Sequence, residues 1–140
     1  MISRRYAVIV PNPPVAQARP TEHEIERFVD RFYAEVRRDP ELGPIFEARI
    51  GAHWTEHLDR MVDFWSSILL ATGRYQGNPM EKHAAVPEIE SHHYDRWLEI
   101  FESVLGRELD GDMARDIVAR ARRMRLALDR EAEQGGGRTG

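Results

Sequence analysis

One histidine, His83, lies between two prolines in the middle of the chain, Pro79 and Pro87. Pro79 suits the first turn of a helix, where its missing N–H is not needed, and Pro87 disfavours helix in the residue before it. The spacing therefore predicts a helix of about two turns that carries one imidazole. Such a short, stiffly bounded helix can hold an axial ligand on a metal or a haem. Taken by itself, a histidine in this setting is more often a surface or structural residue.

His53 and His57 offer a second possible chemistry, because two histidines four residues apart share one face of a helix and can bind zinc. The segment H-W-T-E-H differs from the metalloprotease pattern H-E-x-x-H, since Glu56 stands at the wrong position. The chain contains no cysteine, so further ligands would have to be carboxylates or other histidines such as His83. A zinc site built on this pair is the less favoured interpretation.

Composition narrows the class of protein. A chain of 140 residues with 41% hydrophobic and 31% charged residues is large enough for one domain with its own core. The net charge of −4 argues against a nucleic-acid surface, and no apolar run approaches the ~20 residues of a membrane helix. The absence of cysteine excludes disulfides and thiolate metal sites and fits a cytoplasmic location, which we expect.

Helical periodicity dominates the chain from Thr21 onward. Thr21 and Glu24 form a capping-box pattern, and apolar residues follow at steps of three and four until residues 39–40. We expect short turns over residues 40–50 and a second long helix over about 52–71. A third helix follows Pro87, and Asp110 caps a last one. These elements predict an all-α domain over residues 21–133, between a mobile proline-rich arm at 1–20 and a flexible glycine-rich tail at 134–140.

Four segments together resemble the truncated haemoglobins, and within them the third group. The segments are F-Y-x-x-V-R-x-D-P-x-L-G-P-I-F at 32–46, W-x-x-H-x-x-x-M-x-x-F-W at 54–65, Y-x-G-x-P-M-x-x-H at 75–83 and H-Y-x-R-W-L-x-I-F at 93–101. The resemblance extends from about residue 24 to about residue 131, in the family's order and spacing. The paired glycines that other groups carry in their loops occur here only in the tail, which favours the third group.

The resemblance implies a globin-like two-over-two helical sandwich that encloses a haem. It makes His83 the iron ligand and assigns the remaining cofactor contacts to residues on either side of it. These are Tyr33, Phe46, His57, Arg60, Met61 and Trp97. The haem would be b-type, because covalent attachment through C-x-x-C-H needs cysteines that this chain lacks.

Several of these residues have ordinary alternatives. Without a haem, Tyr33 and Trp97 would be packed core residues, and Arg60 would be a solvated charge. His93 shares a side with the apolar residues of its helix, so it is either a satisfied buried histidine or a haem contact. His92 points away from that side and should be more exposed.

The resemblance implies binding of O₂, CO and NO at an iron whose sixth position is open or weakly held by His57. Tyr33 and Trp97 would donate hydrogen bonds to the ligand, which favours O₂ or NO redox chemistry or sensing over bulk transport. An unknown reductase would supply electrons, and we expect a monomer. Two alternatives remain: a peroxidase-like haem enzyme with His57 as distal acid–base group, and a helical interaction module without cofactor.

Overall fold

The computed structural model describes residues 19–77 and 89–139, with side chains described as far as Ala127. All regular structure in these ranges is helical, as predicted. The elements are α1 (Glu22–Arg38), α2 (Leu42–Ile50), a 3₁₀ turn (Gly51–His53), α3 (Trp54–Leu70), α4 (Ser91–Glu108) and α5 (Gly111–Thr139). Helix α1 packs against α3 and α4, and α4 packs against α5. The pairs α1–α3 and α4–α5 form the predicted two-over-two sandwich. None of the described helices is long and apolar enough to cross a membrane.

Helix α1 begins at the predicted capping box. The Thr21 hydroxyl accepts the Glu24 N–H at 3.0 Å, and the Glu24 carboxylate accepts the Thr21 N–H at 2.8 Å. The predicted apolar face is buried along the whole helix and consists of Ile25, Phe28, Val29, Phe32, Tyr33 and Val36. The capping box fixes where the helix begins, and the buried face fixes how it is rotated toward the core.

The prediction of short turns over residues 40–50 is wrong, because residues 42–50 form the nine-residue helix α2. Pro44 lies in its first turn, where a proline is tolerated because that N–H has no helical partner. Asp39 caps the helix, since its Oδ2 accepts the N–H groups of Glu41 at 3.1 Å and Leu42 at 2.9 Å. Gly43 allows α2 to start against the end of α1: a Cβ there would lie 2.7 Å from the Arg37 carbonyl oxygen.

Asp39 also ties α2 to α4. Its Oδ1 accepts a hydrogen bond from Arg96 Nε at 2.7 Å, and the Asp39 residue is only 6% exposed. Burial by itself would raise the pKa of Asp39, but the hydrogen bonds from Leu42, Arg96 and Glu41 outweigh it and lower the pKa of this carboxyl. One carboxylate therefore joins the end of α1, the start of α2 and the face of α4.

The second predicted helix is confirmed, although its first residues form the separate 3₁₀ turn. Its C-terminal loop is held by hydrogen bonds, including one from the Tyr75 N–H to Ser67 Oγ at 2.9 Å. The third and last helices are also present. Helix α5 extends to Thr139 and so includes Gly135–Gly137, where we predicted a glycine-rich tail. The predicted domain bounds and the predicted flexibility of the tail stay predictions. The short helix predicted around His83, like the arm at residues 1–18, lies outside the described residues.

Candidate functional site

A cavity of about 390 Å³ opens between α1, α2, α3 and α4, with residues of α5 at one side. Its volume lies within the range of about 300–1,000 Å³ that is usual for cofactor and small-molecule sites. The lining is mostly aromatic and aliphatic, and three arginines, Arg49, Arg60 and Arg125, contribute to it. A helical module without cofactor should close its core, and this cavity argues against that alternative.

Six of the seven predicted cofactor residues line this one cavity. They come from four helices, α1 to α4. These residues are Tyr33, Phe46, His57, Arg60, Met61 and Trp97. The seventh, His83, lies outside the described residues. The fold thus brings together side chains from four segments of the chain that are up to 64 positions apart, as the spacing from Tyr33 to Trp97 shows.

Tyr33 enters the cavity from α1 and is only 6% exposed. Its ring packs edge-on against Phe32 at 4.8 Å and lies 6.1 Å from the Phe46 ring. Burial raises the pKa of its hydroxyl, so Tyr33 is a neutral donor at every physiological pH. Among the described residues this hydroxyl donates no hydrogen bond. A buried tyrosine normally finds an acceptor, so this group is suited to an acceptor inside the cavity.

His57 comes from α3 and is half-buried. Its ring centroid lies 4.8 Å from that of Tyr33 and 5.7 Å from that of Trp54, nearly perpendicular to both rings. Trp54 is itself buried, and the Arg37 guanidinium covers it, 4.4 Å from the centre of the Trp54 ring. Arg37 is held by Glu47 at 2.8 Å. This layered packing orients His57 toward the cavity.

Trp97 comes from α4 and belongs to an aromatic stack. Its ring lies 5.1 Å from Phe101 at an interplanar angle of 13°, and Phe101 stacks on Trp65 at 5.2 Å and 18°. Phe32 meets the edge of the same group at 5.1 Å from Trp97. No described residue accepts a hydrogen bond from the Trp97 indole N–H. The stack holds the ring rigidly while its donor is available to a ligand.

Positive charge lies beside the apolar lining. Arg60 is exposed to solvent and also contributes to the cavity wall. Burial raises the pKa of Tyr75, and the positive charge of Arg60 partly offsets that effect. Cations at the edge of an apolar cavity suit a flat apolar ligand that carries carboxylates.

Several lining residues were not predicted. Tyr75, Arg49, Tyr94 and Arg125 all contribute to the cavity. Tyr75 opens the segment at 75–83, so its position in that motif was the available signal, whereas the arginines look like ordinary surface charges in the sequence. They reach the cavity only because the helices that carry them converge there.

The remaining histidines lie as their periodicity indicated. His93 is only 9% exposed and lines the cavity, whereas His92 is exposed. The Nδ1 atom of His93 accepts a hydrogen bond from the Glu90 backbone N–H at 2.9 Å. His53 is exposed and lies 3.2 Å from Glu56. Within the described ranges no third metal-ligating side chain joins His53 and His57. A zinc site that includes His83 as a further ligand involves a residue outside the described ranges.

Comparison with known proteins gives one consistent family. Residues 20–129 match the family described as Bacterial-like globin. A group 3 truncated hemoglobin of Campylobacter jejuni is 35% identical over 103 residues, which cover 71% of this chain and 81% of that protein. The crystal structure of a group III truncated hemoglobin from the same species matches with a TM-score of 0.75 and 32% identity, covering 78% of this chain and 88% of the other.

Proposed function

This chain belongs to the bacterial-like globins, among the group 3 truncated haemoglobins, and within that haem-based, ligand-binding family we propose that it is a haem b protein which retains O₂ tightly. The observation that carries the proposal is the convergence of six expected cofactor residues on one cavity. Its role would be redox chemistry on O₂ or NO, or the sensing of these gases, rather than bulk transport of O₂.

The described residues fit a haem. Aromatic and aliphatic side chains suit the faces of a macrocycle, and Phe46 and Met61 are two of those that would contact it. Arg60 would pair with a propionate, and Arg49 and Arg125 are further cations of the cavity lining. The absence of cysteine, which covalent attachment through C-x-x-C-H requires, supports a non-covalent haem b.

We assign the iron ligand to His83. The support is its place in the segment Y-x-G-x-P-M-x-x-H and the prolines at 79 and 87 that bound its predicted helix. When bound, haem supplies an iron with one coordination position left for a small ligand, provided that a single histidine holds it from the protein side. The cytoplasmic location, the monomeric state and a separate reductase are parts of the same proposal.

Tyr33 and Trp97 would bind the ligand's outer atom. Each has a donor that no described residue uses, and each ring is fixed by aromatic neighbours. A hydrogen bond to a partly charged acceptor is worth ~1–3 kcal/mol, and a cavity that excludes water preserves that strength. Two such bonds would slow ligand release severely, which suits retention and chemistry better than delivery.

A second function is favoured by the position of His57. A half-buried imidazole that lines the cavity beside Tyr33 is placed to move a proton to or from a peroxide. The chain would then act as a peroxidase-like enzyme, with His57 as the distal acid–base group.

Absorption spectra of the purified protein in the ferric, ferrous and CO-treated states test the proposal. We expect a non-covalently held haem, extractable by acidified organic solvent, with a ferrous form that takes up CO. A protein that purifies without haem and fails to bind added haemin would contradict the proposal, as would a ferrous form that is closed to CO.

A further inference from the structure

A cluster of metal-ligating side chains lies where the start of α2 meets the start of α4. Glu41, which precedes α2, faces His92 and His93 in the first turn of α4. One donor atom from each of the three residues lies within 4.8 Å of the others. We propose that Glu41, His92 and His93 bind a divalent transition-metal ion of the zinc class, and that Glu90 orients His92. His83, the proposed iron ligand, is not part of this site, although His93 also lines the cavity described above.

Two of the donors already have the separation that a metal needs. Glu41 Oε2 lies 3.4 Å from His92 Nε2. In a tetrahedral zinc site with bonds of about 2.0–2.1 Å, neighbouring donor atoms lie about 3.4 Å apart. Both side chains are more than half exposed, at 56% and 55%, so small rotations can bring them toward a third ligand. Two imidazoles and one carboxylate are a ligand set that zinc uses, with the fourth position left to water.

Glu90 supplies an independent indication. Its Oε1 lies 3.8 Å from Nδ1 of His92, on the opposite side of the ring from Glu41. Histidines that bind metals commonly direct the other ring N–H at a carboxylate, which fixes the tautomer and makes the ligating nitrogen more basic. His92 has one carboxylate near each ring nitrogen, and because the Glu90 side chain is 70% exposed, its rotation can shorten the 3.8 Å separation to a hydrogen bond.

For His93 to bind the metal, the hydrogen bond by which it caps helix α4 has to break. Its Nδ1 now accepts the Glu90 N–H at 2.9 Å, and its ring centroid lies 4.0 Å from that of His92. Because a neutral imidazole has one lone pair for this purpose, binding a metal through His93 requires that cap to open. Metal binding would therefore be coupled to the first turn of the helix that carries Trp97.

The neighbouring cations are already paired with acids. Arg96 binds Asp39 at 2.7 Å, and Arg125 binds Asp95 at 2.8 Å. The partial positive charge at the start of α4 opposes a cation, but Glu41 and Glu90 each add a negative charge beside it. The local field therefore does not exclude a divalent ion.

Isothermal titration of the haem-loaded, full-length protein with zinc tests the site, with magnesium as a hard-cation control. We expect one zinc per chain and little heat from magnesium. Glu41→Gln and His92→Ala should each weaken zinc binding by at least ~100-fold, and Glu90→Gln by about tenfold, in line with the cost of removing an orienting partner. His53→Ala, which removes an exposed histidine beside Glu56, is the matched control and should bind zinc as the unmodified chain does.

X-ray absorption at the zinc edge identifies the ligands. Two imidazoles should surround the metal in the unmodified chain and one in His92→Ala measured at saturating zinc. Absence of zinc binding, an unchanged affinity in Glu41→Gln and His92→Ala, or an equal loss in His53→Ala would overturn the proposal. Glu41→Gln and Glu90→Gln replace one atom of an exposed side chain, and His92→Ala and His53→Ala shorten exposed side chains. Circular dichroism checks that each variant is folded.

Discussion

The rings of Tyr33 and His57 meet edge to face, with centroids 4.8 Å apart and an interplanar angle of 87°. They come from different helices, α1 and α3, and both line the same cavity. Tyr33 has no described hydrogen-bond acceptor, and burial keeps its hydroxyl protonated by raising its pKa. A donor and an imidazole thus enter one apolar space side by side, and they can be tested separately.

Replacing Tyr33 with phenylalanine should accelerate O₂ dissociation by about tenfold, because it removes one donor worth ~1–3 kcal/mol without creating a cavity. Stopped-flow displacement of O₂ by CO measures the rate. Tyr75→Phe is the matched control, since Tyr75 also lines the cavity but has its ring packed against Phe64, with centroids 5.2 Å apart, and makes no described ring contact with Tyr33. An unchanged dissociation rate in Tyr33→Phe would reject its role as a ligand donor.

His57→Leu separates a ligand-binding protein from a peroxidase. If His57 transfers protons to and from peroxide, the leucine variant should lose about 10²–10⁴-fold in peroxide turnover while it still binds CO. The measurement is oxidation of a small reducing substrate under excess peroxide. His53→Ala, an exposed histidine on the preceding turn, should turn over at the unmodified rate. Equal turnover in both variants would leave the acid–base role of His57 without support.

Asp39→Asn should destabilise the fold by about 1–3 kcal/mol at pH 7, because a buried carboxylate that accepts three hydrogen bonds loses its charge. The pKa of Asp39 is lowered in the folded chain, so its contribution is fully present above the unfolded pKa of about 3.9 and is lost as the pH falls through the folded value. The unfolding free energies of the variant and the unmodified chain should therefore begin to converge near pH 4 and become equal once the pH has fallen below the lowered pKa of folded Asp39.

Urea unfolding at several pH values, followed by circular dichroism at equal haem loading, measures that difference. Asp112→Asn is the control, because Asp112 forms an exposed ion pair with Arg115 and such pairs contribute only about 0–1 kcal/mol. If Asp39→Asn is as stable as Asp112→Asn at pH 7, the hydrogen bonds by which Asp39 links α1, α2 and α4 do not contribute to stability.

The long helices were predictable because their apolar residues recur at the helical period. All six residues predicted for the inner face of α1 are buried, and its capping box is present. Helix α2 was predicted as short turns, although Pro44 fits the first turn of a helix and Asp39 caps that helix from outside. Asp39 lies three residues before the first residue of the helix, so this cap leaves little trace in the periodicity of the apolar residues.

The candidate site was predictable only through the family resemblance. Periodicity alone would have left Tyr33 and Trp97 as core residues, and it did not distinguish Arg49 or Arg125 from surface charges. Their position in the cavity depends on how α1, α2, α4 and α5 pack, which is a tertiary property. The same is true of the cluster at Glu41, which precedes α2, whereas its partners His92 and His93 lie in α4.

The most direct test of the central claim is the absorption spectrum of His83→Ala, compared with that of the control His53→Ala. The proposed iron ligand predicts that His83→Ala loses the spectrum of a histidine-ligated haem, retains haem poorly, and regains a histidine-like spectrum when imidazole is added. His53→Ala should be indistinguishable from the unmodified chain. A His83→Ala protein with undiminished haem content and the same ferric, ferrous and CO spectra would contradict the assignment.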